Sequence, residues 1–149
     1  MTRPPEPAAR AGRESPQQAL VRRTLAACPG FTSAQLLHLR MASAGTGVSL
    51  STVYRTLASL TGAGLVDVVR DDSGERLYRH RPGPGHRHYL ICRRCGHSLA
   101  VDSAEVETWA ARTAGRSGFA DVHHRVELHG TCPACLTGRA DEEPRPGGR

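Results

Sequence analysis

The sequence predicts an α+β chain of two small lobes. Three observations predict it: three successive stretches of helical apolar spacing followed by a two-stranded hairpin pattern, a proline- and glycine-rich break at 81–85, and two Cys-x-x-Cys pairs that bracket a segment mixing strands with one helix. With 149 residues and 38% hydrophobic content, there is material for one ordinary domain or two small ones, each with a thin core.

Residues 1–15 and the tail 137–149 carry no apolar period and are expected to be disordered. From Pro16 a helix is expected, with proline in its first turn and Leu20, Val21 and Leu25 as an apolar stripe, ending at Cys28-Pro29-Gly30. Ser33 is a good N-cap for a second helix, SAQLLHLRMASA, which stops at Gly45. The third is expected from about Ser51 to Thr61, with Leu50, Val53, Leu57 and Leu60 at helical spacing and Gly64 just past its end. LVDVVR and RLYRH then alternate around a DDSGE turn. Three short helices and a hairpin, over residues 16–80, follow the order of a winged helix-turn-helix.

Arg81-Pro82-Gly83-Pro84-Gly85 reads as a hinge, because neither a helix nor a central strand accepts that run. Residues 86–136 then read as a small α/β unit: a strand HRHYLIC, a Cys-x-x-Cys knuckle, a strand HSLAVD, a helix AEVETWAARTAG capped by Ser103, a strand ADVHHRVELHG and a second knuckle. Trp109, Phe119 and Tyr89 are the aromatics available to its core.

A net charge of +6 points to an anionic partner. Its distribution is more telling: no acidic residue lies between Pro16 and Val66, a stretch that contains Arg22, Arg23, Arg40 and Arg55. No apolar run approaches the length of a membrane span, and the first fifteen residues lack the apolar stretch of a secretory signal, so a cytoplasmic chain is expected. Five cysteines in a reducing compartment are poor disulfide candidates, and paired Cys-x-x-Cys spacing there indicates metal or redox chemistry.

Cys92, Cys95, Cys132 and Cys135 carry the strongest signal. Two intervening residues let one tight turn aim both sulfurs at a common point, and two such knuckles make a closed tetrahedral thiolate site for zinc. A closed site is structural, not catalytic. Cys28 stands apart and is expected to pack as a small hydrophobe.

A second constellation surrounds the first. His86 and His88 are two apart on a predicted strand and share its face, Glu107 lies near the start of the following helix, and His124 shares a strand face with Val122, Val126 and Leu128. These four donors suit a borderline divalent metal. His97, His123 and His129 are expected to face solvent. The third signal is the helix SLSTVYRTLASL. With its apolar residues turned inward, Ser51, Thr52, Arg55, Thr56 and Ser59 occupy the outer face beside Tyr54, where Arg suits guanine and hydroxyls reach phosphates. Taken alone, that face also fits an ordinary solvated helix.

Together, VSLSTVYRTLASLTGAGLV, HRHYLICRRCG and HGTCPAC resemble the ferric uptake regulator family over about Gln17 to Leu136, in particular its zinc uptake regulator branch. The resemblance implies a winged helix-turn-helix DNA-binding domain followed by a small α/β dimerisation domain with a four-cysteine zinc site, and DNA contacts from Ser51, Thr52, Tyr54 and Arg55. It implies structural Zn2+ on Cys92, Cys95, Cys132 and Cys135, and a second divalent metal, Zn2+, on His86, His88, Glu107 and His124. At the hinge-proximal sensory site this chain departs from the family pattern. Asp67 fits the zinc branch, but Tyr89 stands where the family places histidine, and Arg87 and Arg81 stand where the zinc branch has histidine and cysteine. His80 could substitute, leaving Asp67, His80 and one of His86 or His88 as a candidate degenerate sensory site. Phe31 replaces a histidine that iron and peroxide sensors commonly use.

The function so implied is a metal-dependent repressor, not an enzyme, that binds palindromic operator DNA as a homodimer, without membrane or small organic substrate. Two alternatives remain at this point: a member with a degenerate sensory site that binds DNA constitutively or senses another metal, and a zinc-ribbon module that binds protein. A hydrolase built on the His/Glu cluster would need an open coordination position and a base in a motif such as His-Glu-x-x-His, which the sequence lacks.

Overall fold

A computed structural model describes residues 13–83 and 85–139. Most of the expected disordered head and tail therefore lies outside the described residues. Helix α1 (Pro16–Ala26) opens with a capping box in which Ser15 and Gln18 satisfy each other's backbone N–H groups. It ends before Cys28-Pro29-Gly30, two residues earlier than the sequence suggested. Strand β1 (Thr32–Ser33) leads into α2 (Ala34–Ser43), where the Ser33 hydroxyl accepts from the Leu36 N–H at 3.2 Å. Helix α3 (Leu50–Gly62) begins one residue earlier than expected, capped by Ser49, whose hydroxyl accepts from the Thr52 N–H. The hairpin forms as β2 (Val66–Arg70) and β3 (Arg76–His80).

Short β1 was not predicted; a two-residue strand has no readable period. It pairs with β3 through Thr32↔Tyr78 and Ser33↔Leu77, making the wing a three-stranded sheet in the order β1-β3-β2. One cluster fills this lobe, with Val21, Leu25, Leu37, Met41, Val53, Leu57, Leu60 and Tyr78 all buried. Each such aliphatic side chain contributes on the order of 1.5–3 kcal/mol.

After the hinge come β4 (His88–Cys92), β5 (Ser98–Val101), α4 (Ala104–Ser117), β6 (Glu127–Gly130) and the single turn α5 (Pro133–Leu136). The sheet order is β5-β4-β6, antiparallel between β4 and β5 and parallel between β4 and β6. The strand expected over 120–130 is confined to its last four residues, so His124 lies in irregular chain rather than on a strand face, and His86 precedes β4. Ser103 takes the N-cap of α4, yet its hydroxyl makes no cap bond and is buried without a partner. Glu105 and Glu107 instead place negative charge in that helix's first turn.

Trp109 and Phe119 do not enter a core. They are 63% and 74% exposed in the protomer. Leu99, Leu90 and Leu128 face one another in register across β5, β4 and β6, and all three are exposed. This row and the two aromatics leave the second lobe with an apolar surface that a single copy does not cover.

A second buried cluster joins the lobes: Phe31, Val69 and Leu77 from the first pack with Tyr89 and Ile91 from the second. Phe31 meets Tyr89 edge-on, with ring centroids 5.1 Å apart. The backbone joins them as well, since the Phe31 N–H donates to the Gly96 carbonyl at 3.0 Å and Gly30 bridges His97. His97 is half-buried there, not solvent-facing. Among the described residues no helix is long and apolar enough to cross a membrane.

Candidate metal centres and nucleic-acid face

The first knuckle lies between β4 and β5, the second between β6 and α5, and the parallel pairing of β4 with β6 brings them side by side. Sγ of Cys92 stands 3.8 Å from that of Cys135, and Sγ of Cys95 stands 3.7 Å from that of Cys132. A disulfide would need about 2.05 Å. A tetrahedron with metal–sulfur bonds of about 2.3 Å has edges of about 3.8 Å, so the donor spacing fits zinc. Burial pushes the Cys135 thiol up to about 12 and raises Cys95 as well. At Cys92 burial is outweighed by N–H groups of Cys132, Cys95 and Arg94 aimed at its sulfur, which bring it down to about 6. Crowded sulfurs of this kind ionise together only beside a cation. The Arg94 guanidinium, donating to the Cys135 carbonyl at 2.6 Å, ties the two knuckles together from outside.

The second set converges although only two of its members lie in regular elements. His88 starts β4, Glu107 sits in the first turn of α4, and His86 and His124 come from the flanking chain. Oε1 of Glu107 lies 2.7 Å from His88 Nε2, 3.0 Å from His124 Nε2 and 3.7 Å from His86 Nε2. Nε2 of His86 and Nε2 of His124 are 3.1 Å apart. Three imidazole nitrogens and one carboxylate oxygen thus aim at a common point, a donor set suited to a borderline divalent ion. Burial, followed by the neighbouring His88, lowers the pKa of His86 below 6.5, which keeps that imidazole neutral and able to ligate. The His88 bond, followed by that of His124, lowers the pKa of Glu107.

No comparable group forms at the hinge. Among the described residues, only these two clusters bring three or more metal-binding side chains together, and neither contains Asp67 or His80. The candidate degenerate sensory site is therefore not assembled. Arg81 explains why: its Nε stands 3.0 Å from Asp67 Oδ1, while Tyr89 donates to Asp67 Oδ2 at 2.5 Å. Burial, then the bond to Asp67, pushes the Tyr89 phenol up to about 12, so it stays a donor. Both carboxylate oxygens are engaged by this chain's own groups, and a metal does not fit without displacing them. His86 and His88 belong to the cluster with Glu107.

On α3, Ser51, Tyr54 and Arg55 are exposed and Thr52 is half-buried. The Thr52 hydroxyl is 2.9 Å from that of Ser49, and Arg55 Nη2 donates to it at 3.4 Å. These contacts lay the guanidinium along the N-terminal half of the helix. Thr56 departs from expectation: it is 3% exposed, with its hydroxyl donating to the Thr52 carbonyl, and belongs to the core side. Arg22, one of the four arginines named in the acid-free stretch, pairs bidentately with Glu14 just upstream.

Sequence reasoning missed the role of Arg79 and Arg81. Arg79 lies over the Tyr89 ring at 4.9 Å and donates to the backbone and hydroxyl oxygens of Ser98. The available signal was the strand register: alternation places Asp67 opposite Arg79, with Arg81 two residues on along the same strand direction.

Known proteins resemble this chain in sequence and in fold. The ferric uptake regulator family model matches residues 10–129. The zinc uptake regulation protein of Mycobacterium tuberculosis (strain H37Rv) is 43% identical over 123 residues, covering 83% of this chain and 94% of that protein. A solved structure described as a zinc uptake regulator complexed with zinc and DNA is 31% identical, with a TM-score of 0.65 over 86% of each chain. The ferric uptake regulator from Francisella tularensis with iron shares the fold at a TM-score of 0.70 and 16% identity, covering 88% of this chain and 99% of that one. With a winged helix, two cysteine knuckles brought together by parallel strands, and matches spanning most of its length, the chain belongs to the ferric uptake regulator family.

Proposed function

We propose that this chain is a zinc-responsive transcriptional repressor that binds palindromic operator DNA as a homodimer in the cytoplasm, and acts by binding rather than turnover. The observation that carries this reading is the pairing, in one chain, of a hydroxyl- and arginine-faced α3 with two separate metal-donor clusters in the other lobe. The zinc uptake regulation protein and the zinc- and DNA-bound regulator among its relatives support zinc as the signal.

In this reading residues 16–80 read DNA, 81–85 form the hinge and 86–136 pair the copies. Cys92, Cys95, Cys132 and Cys135 hold a structural zinc, and His86, His88, Glu107 and His124 hold a regulatory one. Zinc supplies a fixed four-way crosslink at each set when bound. The Leu99–Leu90–Leu128 row, with Trp109 and Phe119, suits burial against a second copy. Arg55 and Tyr54 face the major groove, with Ser51 and Thr52 on the phosphates. Two such helices related by dyad symmetry match the halves of a palindrome.

A mobility-shift titration tests the reading. Operator affinity at least about tenfold higher with zinc than after mild chelation supports it; equal affinity in both states removes it.

A further inference from the structure

The hinge carries a device that neither metal cluster contains. Arg81 immediately follows β3, where its backbone N–H donates to the Leu65 carbonyl. Its side chain makes three further contacts. Nε stands 3.0 Å from Asp67 Oδ1, Nη1 donates to the Gly64 carbonyl at 3.2 Å, and Nη2 donates to the Gly85 carbonyl at 2.6 Å. Gly64 and Asp67 belong to the DNA-reading lobe, and Gly85 directly precedes His86, so the guanidinium spans the joint. Asp67 is gripped from the far side by Tyr89, the residue after His88. Two donors of the His/Glu cluster are thus each one residue away from a group that holds the Arg81–Asp67 pair. Tyr89 has little freedom to retreat, with Arg79 over its ring and Phe31 at its edge.

A guanidinium is a permanent cation with donors in a fixed fork, and here it meets a carboxylate and two carbonyls, the oxygen set a hard cation would also accept. At 24% and 20% exposure, the side chains of Arg81 and Asp67 are shielded enough for the pair to outlast ordinary salt. Gly85 adopts φ of +119°, a conformation that suits glycine and turns its carbonyl to the arginine.

We propose that Arg81 is the positioning residue of this hinge: as a built-in cation held by Asp67 and the Gly64 and Gly85 carbonyls, it transmits the state of the His86/His88/Glu107/His124 cluster to the DNA-reading lobe, and the hinge binds no metal of its own. Ordering His86 and His88 on a metal fixes the chain at Gly85 and Tyr89. Those two residues bear on Arg81 and Asp67, and Asp67 lies on β2, which follows α3 directly. The inference rests on the zinc-responsive reading above and adds the residue through which the response passes.

The test uses full-length protein, with zinc content read by native mass spectrometry and DNA affinity measured with the His/Glu cluster loaded or stripped while the cysteine zinc is retained. Wild type is expected to hold two zinc ions per protomer, one per cluster, and to gain about tenfold in DNA affinity on loading. Arg81→Ala should keep both zinc ions, yet its gain should fall below about threefold, and the tightening of zinc by DNA should shrink by the same factor because linkage is reciprocal. Arg81→Lys, which restores the charge without the fork, should recover part of the gain. Tyr89→Phe keeps the ring packing and the folded lobe but drops the bond to Asp67, and it too should reduce the gain. Full gain in both Arg81→Ala and Tyr89→Phe would overturn the coupling role, as would a third zinc in wild type that Asp67→Ala abolishes. Absence of any gain in wild type would instead refute the zinc response itself, and the coupling with it.

Discussion

Gly30 lies so close to Gly96 that a Cβ on Gly30 would stand 2.2 Å from the Gly96 carbonyl oxygen and 2.8 Å from the α-carbon of His97. Both obstacles are backbone, held by the Phe31 N–H bond to Gly96 and by the knuckle that follows β4. The apolar joint between the lobes is therefore flanked by two polar or backbone contacts: the Gly30–Gly96 contact beside the cysteine knuckle, and the Arg81–Asp67–Tyr89 group beside the His/Glu cluster.

Gly30→Ala should separate the first of these. It is expected to destabilise the folded chain by about 1–3 kcal/mol through overpacking, to weaken DNA binding and to leave zinc content unchanged. Thermal unfolding with zinc analysis checks this; an unshifted melting temperature would mean the lobes are not in contact there.

Cys95→Ser is expected to remove the structural zinc and unfold the second lobe. Structural zinc contributes about 10–16 kcal/mol in small metal-dependent domains, more than the whole stability of about 5–15 kcal/mol typical of a domain. With Trp109 and Phe119 outside the core, that lobe has little apolar burial to hold the two knuckles together without it. Sedimentation and circular dichroism should report loss of the dimer together with the β4–β6 sheet. A folded, dimeric, zinc-free variant would contradict the assignment.

The His/Glu cluster should lose its metal as pH falls. His86 has its pKa lowered by burial and by His88, so at neutral pH it is uncharged and ready to ligate, and protonation below 6.5 competes with metal. The same depressed value means that the folded chain takes up a proton at His86 less readily than the unfolded chain. Its contribution to stability is present above pH 6.5 and is lost as pH falls through that value toward the folded pKa. Zinc retained by the cluster, followed between about pH 8 and 5 with the cysteine-bound zinc as an internal standard, should decline below about pH 6.5. A cluster that keeps full occupancy at the acid end would show that His86 is not a ligand.

On the nucleic-acid face, Arg55→Ala should cost about 1–3 kcal/mol of operator affinity, most of it specific to sequence. Thr56→Ala sits one position on and should behave differently. Its hydroxyl is buried against the Thr52 carbonyl, so the effect should appear in stability with little change in base preference. Competition binding with specific and random duplexes distinguishes the two; a loss of base preference in Thr56→Ala would place that residue on the DNA.

Helical spacing, caps and the Cys-x-x-Cys pairs made most of the elements legible in the sequence, because each rests on local geometry; the eight donors were legible as residue types, but their convergence depends on the parallel pairing of β4 with β6 and on the irregular chain at His86 and His124. Leu50, Val53, Leu57 and Leu60 mark the inner face of α3 from spacing alone, although Thr56 turns inward as well, since a hydroxyl can bond its own helix backbone and be buried. The two-residue β1 and the truncated β6 were not legible; both depend on which strand lies beside them. Trp109 and Phe119 read as core from composition, yet both are exposed in the protomer, which nothing in their local spacing signals. The hinge was half legible. Arg81 and Tyr89 were recognisable as residues unsuited to a metal site, but their grip on Asp67 becomes visible only once β3, the hinge and β4 are placed together.

The most direct test of the account is DNA affinity measured across zinc-buffered solutions for wild type and for the double variant His86→Ala/Glu107→Ala, both retaining zinc on the four cysteines. The account predicts that wild-type affinity rises about tenfold or more with free zinc, while the double variant stays at the low-affinity level throughout. Wild-type affinity that is the same with and without zinc, or a double variant that responds as wild type does, would contradict it.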